Sequence, residues 1–65
     1  MSNAEIGKKL RELRGDIPRE EAAKSLGISI SALQMYENGK RVPRDENKTK
    51  IAAFYKTSVE ALFFS

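Results

Sequence analysis

At 65 residues the chain has room for one domain with one small core, and not for a second catalytic or ligand-binding unit. It contains no cysteine and no histidine, which excludes disulfides and thiolate sites and leaves a metal only an all-carboxylate set, so no metal and no cofactor is expected. A net charge of +3 favours a polyanionic partner, and no apolar run approaches the ~20 residues that span a bilayer, so a cytoplasmic protein with no membrane partner is expected.

Nothing is assigned to Met1–Ala4 beyond the lack of a signal-peptide core in MSNAEIGKKL. A first helix is predicted from Ala4 to Arg14, where Ile6, Leu10 and Leu13 recur at i, i+4 and i+7 on an otherwise charged helix. Gly15 stops it. Asp16-Ile17-Pro18 is a short connection, with Ile17 directed to the core and Pro18 opening the next helix, where its missing N–H costs nothing. The second helix, Arg19 to Leu26, puts Ala22, Ala23 and Leu26 on one face, and Gly27 ends it. Ile28 plugs the gap. Ser29 is the N-cap of a third helix that Leu33 and Tyr36 hold down and Asn38-Gly39 closes. Two helices joined so tightly cross steeply, and Ala23 is small where they must meet.

Lys40 to Pro43 reads as a loop anchored by Val42 and Pro43. A fourth helix follows from about Arg44 to Tyr55, with Asp45 and Glu46 favourable against its dipole and Ile51, Ala52, Phe54 and Tyr55 on its apolar face. Lys56-Thr57 breaks it, and Ser58 caps a short fifth helix from Val59 to Phe64. The charge is unevenly spread. Between Lys40 and Lys50 five basic residues (Lys40, Arg41, Arg44, Lys48 and Lys50) face two acidic ones, directly after the third helix. The tripeptides Asn47-Lys48-Thr49 and Arg14-Gly15-Asp16 match a glycosylation sequon and an adhesion motif, but they read as helix interior and helix end.

Helix, tight glycine turn and capped helix form a helix-turn-helix unit, whose second helix can lie in a DNA major groove. The phrases LGIS and MYENGKRVP, at their spacing from each other and from the first helix, closely resemble the phage-repressor and Cro-type (XRE-like) helix-turn-helix family over Ile6 to Phe63. That resemblance implies an all-α fold: a compact five-helix, lambda-repressor-like domain with a central helix-turn-helix, occupying residues 1–65 as a single DNA-binding unit. It also implies a structural ion pair between Arg14 and Glu37, which would tie the first helix to the third and set its orientation. Three departures stand out. The connection before Pro18 is about two residues short of the family's usual length. Pro18 and Arg19 replace the common Ser or Thr and Gln. Asn47 stands where an apolar residue is usual, which predicts a loosely packed start to the fourth helix.

With Leu33 and Tyr36 turned inward, the outer face of the third helix carries Ile30, Ser31, Gln34 and Met35, positions that match the family's base-reading residues. Gln34 can form paired hydrogen bonds to adenine, Ser31 can donate or accept, and Ile30 and Met35 can meet thymine methyls. Each has a plainer reading beside it: a partner contact for Ile30, a polar first-turn residue for Ser31, a solvated side chain for Gln34, a gap-filler between helices for Met35. Arg19, Asn38, Lys40, Arg41 and Arg44 are the candidate phosphate contacts; for the basic loop the plain alternative is a solvated surface. The expected function is a sequence-specific transcriptional regulator, a repressor by resemblance. It is expected to bind double-stranded DNA as a homodimer on a near-palindromic operator, joined through the C-terminal helix at Phe63 and Phe64. A protein-interaction module, such as an antitoxin-type domain with secondary DNA binding, is the alternative. No constellation for enzymatic chemistry is present in the sequence.

Overall fold

In the computed structural model, which describes residues 2–64, the chain folds as α1 (Asn3–Arg14), α2 (Arg19–Leu26), α3 (Ile30–Glu37), α4 (Asp45–Phe54) and α5 (Glu60–Phe64). The last is wound as a π-helix, and no strand occurs among the described residues. The body measures 27 × 22 × 21 Å.

α1 begins one residue before the periodicity predicts because Ser2 closes a capping box. Its hydroxyl accepts from the Glu5 N–H (3.1 Å), and the Glu5 carboxylate accepts from the Ser2 N–H (3.2 Å). The bond donated by the Ser2 N–H, supported by the Ser2 side chain, holds the Glu5 carboxyl below its ordinary value. Ile6 and Leu10 are buried as the stripe predicts. Leu13 is 41% exposed, against expectation. The last turn of α1 is flanked by α5 and the segment before it, leaving a shallow groove lined by Lys9, Glu12, Leu13, Thr57, Ala61 and Leu62.

The helix-turn-helix forms as its caps dictate. Pro18 precedes α2 without a side-chain cap. Gly27 takes φ +70°, a region that costs an L-residue with a Cβ ~1–2 kcal/mol. The N–H of Ile28 then bonds the carbonyl of Ala23 (3.0 Å), and the Ser29 hydroxyl accepts from the Ala32 N–H (3.0 Å) to start α3. Ala22, Ala23, Leu26, Leu33 and Tyr36 are all buried, with Ile17 and Ile28 half-buried against them. The helices α3 and α4 end in the same double bond pattern as α2. Lys40 N–H bonds Met35 O and Gly39 N–H bonds Tyr36 O; Thr57 N–H bonds Ala52 O and Lys56 N–H bonds Ala53 O. In α4 the left-handed position is held by Lys56 (φ +55°) rather than glycine.

The remaining core comes from Ile51 and Ala52 of α4 and Leu62 and Phe63 of α5. Three expectations need correction. Pro43 is buried, but Val42 is largely exposed and anchors nothing, because the extended conformation before a proline sends successive side chains to opposite sides. Phe63 is 4% exposed and belongs to the core, so of the two C-terminal aromatics only Phe64, 65% exposed, lies on the surface. Lys48, counted with the basic excess, lies over α5, its ammonium 4.7 Å from the Phe64 ring centroid and 3.8 Å from Asp45 Oδ1. Asn47 makes good its departure from an apolar residue: its Nδ2 donates to the buried Tyr36 hydroxyl at 3.3 Å.

Candidate nucleic-acid interface

The outward face of α3 follows from what pins the inward one. Leu33 has no exposed surface and Tyr36 very little, so at 100° per residue the side chains of Ile30, Ser31, Gln34 and Met35 turn to solvent, and all four are exposed. Two of them are large and apolar. Exposed apolar side chains beside a polar amide and a hydroxyl match the mixed edge that base pairs present in a major groove.

The basic loop is folded back onto the same helix. The N–H groups of Lys40 and Arg41 both bond the carbonyl of Met35, at 2.9 and 3.3 Å. Lys40, Arg41 and Asn38 are thereby gathered at the C-terminal end of α3 with their side chains exposed, and Arg44, also exposed, precedes α4. Arg19 is placed differently. It is half-buried, and its Nε donates to Glu37 Oε1 at 2.9 Å.

Glu37 is the one buried charged residue among those described, with no exposed surface. Arg14 grips its carboxylate side-on, Nε to Oε2 at 2.6 Å and Nη2 to Oε1 at 3.0 Å, while Arg14 Nη1 donates to the Ile17 carbonyl at 2.9 Å. Burial would push the Glu37 carboxyl up, but the hydrogen bonds and charges of Arg14 and Arg19 outweigh it and hold it below its ordinary value. Arg14 is correspondingly raised, chiefly by the hydrogen bonds it donates to Glu37. The Tyr55 hydroxyl is enclosed nearby without a hydrogen-bond partner among the described residues; burial and the Glu37 charge push it up, and Arg14 opposes them.

Two participants went unread in the sequence. Arg11 Nη2 donates to the backbone carbonyl of Glu37 at 3.1 Å. Gly7 lets α1 touch α3 directly: a Cβ there would collide with the Glu37 carbonyl and stand 2.9 Å from the Tyr36 oxygen. Both carried a signal. Glycine inside a well-patterned helix asks for a packing reason, and Arg11 lies one turn before Arg14 on the same face.

Two helices crossed over a glycine turn, the second held by its ends and open along one mixed face beside a basic loop, define a helix-turn-helix domain. The chain belongs to the XRE-type helix-turn-helix family, whose model matches residues 8–62, and it is in class a DNA-binding transcriptional regulator. No curated protein matches it. Among solved structures it is similar to the SOS-response transcriptional repressor LexA from Eubacterium rectale, with TM-score 0.87 and 21% identity over 94% of this chain and 67% of that one. It is also similar to the restriction-modification controller protein C.AhdI from Aeromonas hydrophila, with TM-score 0.82 and 28% identity over 94% of this chain and 91% of that one. Among the described residues no helix is long and apolar enough to cross a membrane.

Proposed function

We propose that the protein is a sequence-specific repressor that inserts α3 into the major groove of a near-palindromic operator and blocks the promoter it covers. The observation that carries this reading is the joint exposure of Ile30, Ser31, Gln34 and Met35 on one face of α3, with Lys40 and Arg41 bonded back onto that helix through Met35. In this reading the four α3 side chains meet base edges, and Arg19, Asn38, Lys40, Arg41 and Arg44 meet phosphates. The similarity to a restriction-modification controller supports a regulatory role.

One domain of this size makes few base contacts, so the chain acts as a homodimer with two recognition helices about 34 Å apart. With Phe63 in the core, the exposed Phe64 is the aromatic that joins the copies. Selection of bound duplexes from a random pool tests both parts. Recovered sites should share one sequence with two-fold symmetry, and sedimentation of Phe64→Glu should show a monomer with weakened binding. Recovery of no common sequence would remove the sequence-specific reading, and a Phe64→Glu protein of unchanged mass would remove the dimer surface.

A further inference from the structure

Sulfur is scarce in this chain. There is no cysteine, and the two methionines are Met1 and Met35. Met1 lies outside the described residues, so Met35 carries the one described sulfur. It stands in the last turn of α3 and is 43% exposed. It belongs neither to the core nor to the half-buried apolar residues packed on the core, such as Ile28 and Ala32. Its backbone is fixed all the same, because its carbonyl takes the N–H groups of both Lys40 and Arg41. An open thioether therefore sits on a fixed backbone, in the middle of the exposed face of α3.

Peroxides oxidise a thioether to a sulfoxide. The sulfur takes one oxygen of hydrogen peroxide: the O–O bond breaks, an S–O bond forms, the sulfur loses two electrons, and the other oxygen leaves as water. A flexible apolar end becomes a polar, chiral one, which in a core disrupts packing. At Met35 no core contact is at stake, so the change falls on the surface and leaves the fold alone. An apolar end suited to a thymine methyl becomes a hydrogen-bond acceptor, and covering such a group without a donor is costly. A duplex on this face also covers the sulfur, so peroxide reaches protein that has let go, and the oxidised fraction collects off the DNA.

We infer that Met35 is an oxidation site through which a peroxide releases the protein from its operator without unfolding it. This rests on the base-reading role proposed above for α3. The test treats wild type and Met35→Leu with hydrogen peroxide, free and bound to the duplex recovered by selection. Peptide mass mapping locates the added oxygen, circular dichroism follows the fold, and anisotropy follows binding to that duplex and to mixed-sequence DNA. Free wild type should gain one oxygen at Met35 and stay folded. Its affinity for the selected site should fall about tenfold, while mixed-sequence binding and the salt slope hold, because the phosphate contacts are intact. Methionine sulfoxide reductases A and B with dithiothreitol should restore the affinity. Bound wild type should be oxidised at Met35 more slowly than free, and peroxide should leave the binding of Met35→Leu unchanged. Four results would overturn the inference: no oxygen at Met35, full affinity with Met35 oxidised, equal oxidation rates free and bound, or unfolding on oxidation. Equal loss in peroxide-treated Met35→Leu would place the effect at another residue and overturn it as well. If untreated wild type does not prefer the selected duplex over mixed sequence, the base-reading role itself fails, which is a separate result from loss of the oxidation effect alone.

Discussion

At the C-terminal end of α3, Arg11, Arg14 and Arg19 converge on Glu37 and the backbone of α1 presses against it at Gly7. Toward the C-terminal end of the chain, Leu62 and Phe63 pack into the core, with the Ser58 cap and a bond from Lys9 Nζ to the Ala61 carbonyl among the polar links there. The first region is held by directional bonds at fixed lengths. The second is held mostly by burial, which favours contact but no particular angle. A buried ion pair adds little net stability over an apolar substitute, so its presence at α3 is better explained by orientation: in the proposed function this helix presents four side chains to a groove and needs its axis fixed, whereas α5 covers the core and leaves Phe64 outside it.

The largest effect should come from Glu37→Ala, which leaves two guanidiniums facing a buried gap and should cost about 3–5 kcal/mol in urea denaturation. In a domain of this size that is enough to populate the unfolded state at room temperature. The matched change in the apolar seam, Leu62→Met, should cost less than about 1.5 kcal/mol; a larger loss there than at Glu37 would reverse the contrast. Next is Gly7→Ala. A methyl group forced against the Glu37 carbonyl should destabilise by about 1–3 kcal/mol despite alanine's better helix propensity. Equal or higher stability would mean that α1 and α3 separate freely.

Acid should weaken the two regions unequally. The Glu37 carboxyl is lower in the folded than in the unfolded chain, so its contribution is complete above the ordinary glutamate range. It is lost as pH falls from that range toward the lowered folded value. Denaturation midpoints should therefore drop with acid more in wild type than in Glu37→Gln, whereas Leu62→Met should follow the wild-type profile. Identical profiles for wild type and Glu37→Gln would place the acid sensitivity elsewhere. The smallest effect concerns the stop of α4, which leads into the apolar seam. Lys56→Gly relieves a left-handed lysine but loosens the unfolded chain, and a net gain under about 1 kcal/mol is expected by thermal melting.

Much of the fold was legible because its signals are local. Ser29 and Gly27 announce their cap and turn, and Ala22, Ala23, Leu26, Leu33 and Tyr36 carry the helical period, so the helix-turn-helix and its outward face follow from neighbours in sequence. What escaped depends on distant partners. Leu13 continues the stripe of Ile6 and Leu10, but whether a helix covers it is a tertiary matter. Phe63 and Phe64 are identical in type, and only the winding of α5 separates core from surface. Asn47 was expected to pack poorly until Tyr36 supplied a hydroxyl eleven residues away. Arg19 was readable as a cation at a helix start, not as a ligand of Glu37, because nothing in the sequence measures that approach.

The central claim is that the exposed face of α3 reads bases, and Gln34→Ala tests it most directly. Sites selected by this variant and by wild type should differ at one base-pair position per half-site, where the preference relaxes. Affinity for the wild-type site should fall by about 1–3 kcal/mol with an unchanged salt slope. Identical selected sites and equal affinity would contradict the claim.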